Sequence, residues 1–185
     1  MSRHHVRQRR HPSQRGGAMI EVLVSMLIVA FGIVGMFGMQ TQSTVSQMES
    51  YQRAQALVLV RDMAQRMESN RNQLAAYLGS DIGTASPGDC SAATSTAARD
   101  VCEWGLLLQG SAEVLGGSKV GALIGARGCI TQPDPTGQPQ VYLVAVAWQG
   151  LRETGAPGVA CGKDAYSTEA ARRAATLVLQ ISVLS

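Results

Sequence analysis

From residue 18 to residue 39 the chain is apolar and carries a single charge, Glu21. A run that long crosses a bilayer as a helix, at about 1.5 Å per residue. The pattern then changes without a break. Over residues 40–78, Ala56, Val60, Met63, Met67, Leu74 and Leu78 recur at spacings of three, four and seven. Arg53, Arg61, Asp62, Arg66 and Glu68 fall mostly off that stripe. This is the pattern of an amphipathic helix. No proline occurs between Pro12 and Pro87. The spacing therefore predicts one nearly continuous helix over about 18–78, on the order of 90 Å long. Its first half suits lipid and its second half suits packing on a domain. Gly79 is the expected stop.

The remainder, 79–185, reads as one globular head. Residues 80–100 are rich in Ser, Thr, Ala, Gly and Asp and read as a surface loop. Residues 101–125 are ambiguous, with 104–108 and 114–115 as candidate short helical pieces. Strands follow. Residues 127–131 are a short candidate, Pro133-Asp134-Pro135-Thr136-Gly137 is a turn, and 141–148 is strongly β-forming. A loop over 150–166 precedes a half-buried strand, in which Leu177, Leu179, Ile181 and Val183 alternate with Val178, Gln180 and Ser182. The expected class is α+β: a long N-terminal helix laid across a small antiparallel sheet, with no internal repeat and no second domain.

Charge changes the picture only at the N-terminus. The net charge is +3, but Arg3, Arg7, Arg9, Arg10 and Arg15 all lie in the first 16 residues, which hold no acid. Beyond them, 11 of the 16 basic residues face 13 acids, a balance of about −2. Basic residues just before an apolar span stay cytoplasmic and place the remainder outside. Aromatics are 4% of the chain, so the stacking platform of a nucleic-acid binder is missing. His4, His5 and His11 all lie before residue 16, and a chain shortened there keeps no histidine. That removes His-based triads and His metal sites, and no catalytic residue, cofactor or small-molecule substrate is expected. Gly116-Gly117-Ser118-Lys119 lacks the order of a phosphate loop and reads as a turn.

Cys90, Cys102, Cys129 and Cys161 all fall on the side expected to be translocated. An even count in an oxidising compartment suggests two disulfides. No pair has the short spacing of a metal site. Four cysteines allow three pairings. The expected pairing is Cys90–Cys102 with Cys129–Cys161: the first brackets a polar loop with little core, and the second fastens a short strand to the loop before the last strand.

The sharpest local signal is Gly16-Gly17-Ala18-Met19-Ile20-Glu21-Val22-Leu23. A carboxylate inside a membrane span costs about 2.5–3.5 kcal/mol at the bilayer centre, and less near the interface. Such a residue marks function, unless it merely offsets the positive end of the helix. An ordinary secretory signal has an apolar region of about 7–15 residues; this run is longer and continues into an amphipathic helix. The segment resembles the class III signal of type IV pilins and of type II secretion pseudopilins. In that family a basic leader ends in Gly and Glu comes fifth in the mature chain. Gly16 matches the residue before the cut and Glu21 the fifth-position glutamate. Gly17 departs from the Phe usual after the cut.

The C-terminal half resembles minor pilins of the type IV pilus modification protein PilV type. The matching elements are Cys129-Ile130, Tyr142-Leu143-Val144-Ala145-Val146-Ala147-Trp148-Gln149-Gly150, Ala160-Cys161-Gly162, Arg172-Arg173 and a closing apolar strand. The resemblance implies a pilin fold, processing between Gly16 and Gly17 by a prepilin peptidase, and assembly with the major pilin and other minor pilins. It implies an inner-membrane precursor with a periplasmic head, and then a pilus subunit that starts the filament or sits at its tip. Glu21 would pair with the free N-terminal amine of a neighbour. Gly32, Gly35 and Gly38 either let helices pack closely or loosen the helix; Gly38 falls where major pilins carry a helix-breaking proline. By residues alone, Trp148 reads as a core or sheet residue and Arg172-Arg173 as a solvated pair. The alternative assignment is a minor pseudopilin of a type II secretion system.

Overall fold

A computed structural model of the protein describes residues 17–85, 88–111, 114–116, 118–119, 121, 123–137 and 139–181. Gly16 and the rest of the leader lie outside the described residues, as do residues 182–185. The chain divides into two compact units, one ending at Thr44 and one running from Val45 to Ser185. The first helix, α1 (Gly17–Ser69), contributes to both.

In the first unit every described side chain, from Gly17 to Thr44, is exposed. Residues 22–48 carry no charge. Polar side chains within this stretch turn back on their own helix. The Ser25 hydroxyl donates to the Glu21 carbonyl at 2.6 Å, Thr41 to Phe37 at 3.2 Å and Thr44 to Gln40 at 3.1 Å. A hydroxyl on an apolar helix satisfies itself this way without water.

In the second unit α1 buries one stripe: Gln52, Ala56, Val60, Met63, Ala64 and Met67. The α-helix stops at Ser69, short of the expected end at 78. Asn70 leaves the helical region at φ −121° and residues Arg71–Tyr77 form 3-10 turns, kinked at Gln73. Tertiary contacts set that stop. The Asn70 side-chain amide donates to the Tyr77 hydroxyl at 3.0 Å, and that hydroxyl donates to Asp100 on the next helix. Tyr77 is fully buried.

Strand β1 (Gly79–Ile82) follows, so Gly79 opens a strand, and the helical turns end before it at Tyr77. Helix α2 (Thr96–Leu108) begins in the last residues of the expected surface loop and takes in the candidate helical piece 104–108; its N-cap Ser95 accepts from the Ala98 amide at 3.1 Å. Residues 114–115 are extended: β2 (Val114–Leu115) pairs with β3 (Ser118–Lys119) in a small hairpin turning at Gly116. The main sheet is antiparallel, in the order β1, β4 (Ile124–Asp134), β5 (Gln140–Gln149), β6 (Arg172–Ile181). The strand before the expected turn is longer than 127–131, and the Arg172-Arg173 pair lies inside the last strand.

The α1 stripe, Trp104 and Leu108 of α2, and one face of the sheet share a core. The sheet contributes Ile130, Tyr142, Val144, Val146, Trp148, Ala175 and Leu179. Trp104 is fully buried, and its indole N–H donates to the Leu59 carbonyl at 2.9 Å. A Cβ on Gly128 would sit 2.1 Å from the Trp104 ring; only glycine lets β4 run beneath it. The opposite sheet face carries a smaller cluster of Cys129, Ala145, Ala147 and Cys161, with Tyr166 against it. The fold is that of a type IV pilin: a long N-terminal apolar helix, an antiparallel sheet packed on its later turns, and two disulfides.

Candidate functional site

The first candidate site is the exposed helix surface of residues 17–44. Gly17 is the first residue of α1. Glu21 lies one turn in, and the first turn itself holds no acid. Among the described residues Glu21 forms no ion pair. Around it Met19, Leu23 and Leu27 are 74%, 61% and 56% exposed. Leaving such side chains in water forgoes about 1.5–3 kcal/mol for each one that burial elsewhere would recover. By length and composition α1 is able to cross a membrane.

Gly32, Gly35 and Gly38 sit on unbroken α-helix, with nothing within 4 Å of the place a Cβ would take. No contact within the protomer calls for glycine there.

The second candidate is the loop between β5 and β6. It is irregular from residue 150 to 168 and yet heavily fixed. Arg172 is only 3% exposed. Its guanidinium donates to the Val159 carbonyl at 2.6 Å, the Cys161 carbonyl at 3.0 Å and the Pro157 carbonyl at 3.3 Å, and pairs with Glu169. That pairing, with the Asp164 amide, holds the Glu169 carboxyl below the usual range. Arg173 reaches the Arg152 carbonyl and Glu49 of α1. The pair is therefore not solvated: Arg172 is a buried clip for three loop carbonyls. Arg173 ties the loop to the helix. A run of two arginines gives no sign of this in sequence, because most of the partners are backbone carbonyls and neither carboxylate, Glu169 or Glu49, is marked as a partner by the pattern.

The four cysteines are brought together in two bridges. Cys90 joins Cys102, with Cα atoms 5.6 Å apart, and Cys129 joins Cys161 at 5.8 Å. The second bridge lies beside the Arg172 clip, on the sheet face away from the helix. Arg127 stacks over Tyr166 at 5.4 Å to the ring centre, and Tyr166 donates to the Gly125 carbonyl at 3.0 Å. Trp148 is buried in the sheet face that meets α1.

A third cluster joins α1 to α2. Arg66 contacts Asp62, Asp100 and Glu103 at 3.0, 3.1 and 2.7 Å. Burial, then the Asp100 bond, pushes the Tyr77 hydroxyl up to about 12. Sequence reading placed Arg66 and Asp62 on the polar side of α1 and missed their partners. The signal was present: Ala97, Val101, Trp104 and Leu108 are spaced four, three and four. Among the described residues no group of His, Cys, Asp and Glu is placed to hold a metal ion.

Residues 38–104 match a family model described as Tt1218-like, type IV pilin Tt1218. The match supports the type IV pilin family. It covers the later part of α1, the 3-10 turns, β1 and α2 as far as Trp104. No curated protein and no solved structure matches the chain. Type IV pilins are structural subunits.

Proposed function

We propose that the chain is a minor pilin of the PilV type, which helps start the type IV pilus or sits at its tip. The observation that carries this reading is the helix of residues 17–44: exposed at every described side chain, uncharged from residue 22, and opened by one carboxylate, Glu21. The precursor sits in the inner membrane with residues 45–185 in the periplasm. A prepilin peptidase cuts between Gly16 and Gly17. The helix then moves from lipid to the helices of the major pilin and other minor pilins, so little apolar surface meets water. Glu21 pairs with the new N-terminal amine of a neighbour. In a low-dielectric bundle a carboxylate left unpaired is costly, so wrong registers are rejected. Gly32, Gly35 and Gly38 give this segment close approach and local looseness.

The test is the mature N-terminus. Sequencing the membrane-associated protein should read Gly17 first, and inactivating the prepilin peptidase should leave Met1. A chain still starting at Met1 in the presence of the peptidase, or cut beyond residue 39, sinks the proposal.

A further inference from the structure

Residues 22–48 carry no charge. As a helix, at about 1.5 Å per residue, that stretch is about 40 Å long, the thickness of a bilayer together with its headgroups. The first charges after it are Glu49 and Arg53. They fall at the far headgroup layer when the helix spans a membrane.

Around these two residues, where α1 meets the ends of β5 and β6, lies a groove of about 290 Å³ lined by Ser46, Glu49, Ser50, Arg53, Trp148 and Arg173. Ser46, Ser50 and Arg53 are spaced four and three, so one face of α1 supplies all three, and all three are exposed. The loop after β5 is fastened at the same level. The Arg152 amide donates to the Glu49 carboxylate at 3.1 Å, and Arg173 donates to the Arg152 carbonyl. The loop brings Leu151, 42% exposed, and the exposed Arg152 to this place.

The charges here are unequally used. The carboxylates have partners in the protomer: Glu49 takes Arg173 at 3.3 Å and the Arg152 amide, and Glu153 takes the Thr168 hydroxyl at 2.8 Å. Among the described residues the side chains of Arg53 and Arg152 enter no ion pair.

We propose that Arg53, Arg152 and Arg173, with the Ser46 and Ser50 hydroxyls, bind the phosphate headgroup of an anionic phospholipid in the leaflet beside the head. A guanidinium offers a phosphate two parallel N–H donors, and the hydroxyls add single ones. Leu151, next to Arg152 in the chain, suits the boundary between headgroups and acyl chains, where a soluble anion has no use for it. The inference rests on the membrane-inserted precursor proposed above.

The test uses the full chain reconstituted in vesicles of phosphatidylcholine mixed with phosphatidylglycerol, with a photo-crosslinking amino acid at Leu151. Mass spectrometry reads the ratio of phosphatidylglycerol to phosphatidylcholine adducts, corrected for vesicle composition. The expected ratio is at least about fivefold in favour of phosphatidylglycerol, the effect of one arginine near an anionic surface. Arg53→Gln should lower it about fivefold and Arg53→Lys should keep it, with the melt of the head unchanged in both. Excess inorganic phosphate, at matched ionic strength, should leave the ratio as it is. A carbonate wash separates this inference from the reading beneath it. A chain washed off the vesicles overturns both. An inserted chain that labels the two lipids equally, ignores Arg53→Gln or loses its preference to inorganic phosphate overturns the lipid site alone.

Discussion

Residues 17–44 and residues 45–185 solve the hydrophobic problem in opposite ways. The head finds partners for its apolar groups within the chain: Val60, Met63, Trp104, Val144 and Val146 are buried completely. The N-terminal stretch finds none, and Met19, Phe31 and Met39 remain about three-quarters exposed. The head buries its apolar groups within itself, whereas the helix leaves its own exposed. The same polypeptide can hold both because α1 changes its pattern near residue 45, from apolar all round to a stripe.

Substitutions of large apolar residues break the comparison most sharply. Trp104→Ala should cost the head about 3–5 kcal/mol, since it removes a buried indole and its bond to Leu59. Phe31→Ala should leave the melting temperature of the detergent-solubilised chain unchanged, because the head does not use that ring. Equal losses would mean that the two units share a core. The next effect comes from the bridges. Replacing both members of Cys129–Cys161 by Ser should destabilise by about 3 kcal/mol, and the shorter Cys90–Cys102 loop by slightly less. Both losses should appear as less folded protein exported, with cleavage at Gly16 unaffected.

Much of the architecture was legible because it rests on periodicity. The apolar run, the stripe from Ala56 to Met67 and the alternation at the last strand each state their own environment. The end of α1 was not legible. No glycine or proline marks Asn70, and the stop is set by Tyr77 reaching Asp100, residues distant in sequence. Of helix α2 only the piece 104–108 was legible; its first turns were hidden by their Ala and Thr content, although the cap and the stripe are both readable afterwards. Arg172 was misread because composition cannot show that three loop carbonyls and Glu169 surround its guanidinium. Of the candidate site, Glu21 and the glycines were visible because each departs from an otherwise apolar run. The assembly role proposed for them involves other molecules, so a single chain does not display it.

Smaller effects sharpen the contrast from the head's side. Tyr77 has a hydroxyl that ionises near 12 when folded and near 10 when unfolded. A raised folded value means the stabilising contribution is full below about pH 10 and is lost as pH climbs towards 12. Thermal melts across that window should fall more steeply for the wild type than for Tyr77→Phe. Glu169 is shifted the other way. Its contribution holds above the ordinary carboxylate range and fades as the solution is acidified through its lowered value. Glu169→Gln should flatten the acid limb of the melt without altering the alkaline one.

The smallest effect on stability is expected where the effect on assembly is largest. Glu21→Ala should leave the melt of the head untouched and should insert and be processed normally, since removing a charge eases burial. It should be depleted in filaments, where a neighbour's amine loses its partner. Wild-type amounts in sheared pili would show that Glu21 does not set register.

The central claim is that residues 17–44 are covered by other subunits of a pilus. Mass spectrometry of sheared, purified pili tests it most directly. The account predicts peptides of this chain in the pilus fraction, with an N-terminal peptide that starts at Gly17 and contains Glu21. A chain found only in the membrane fraction, with pili present and free of it, would contradict the account.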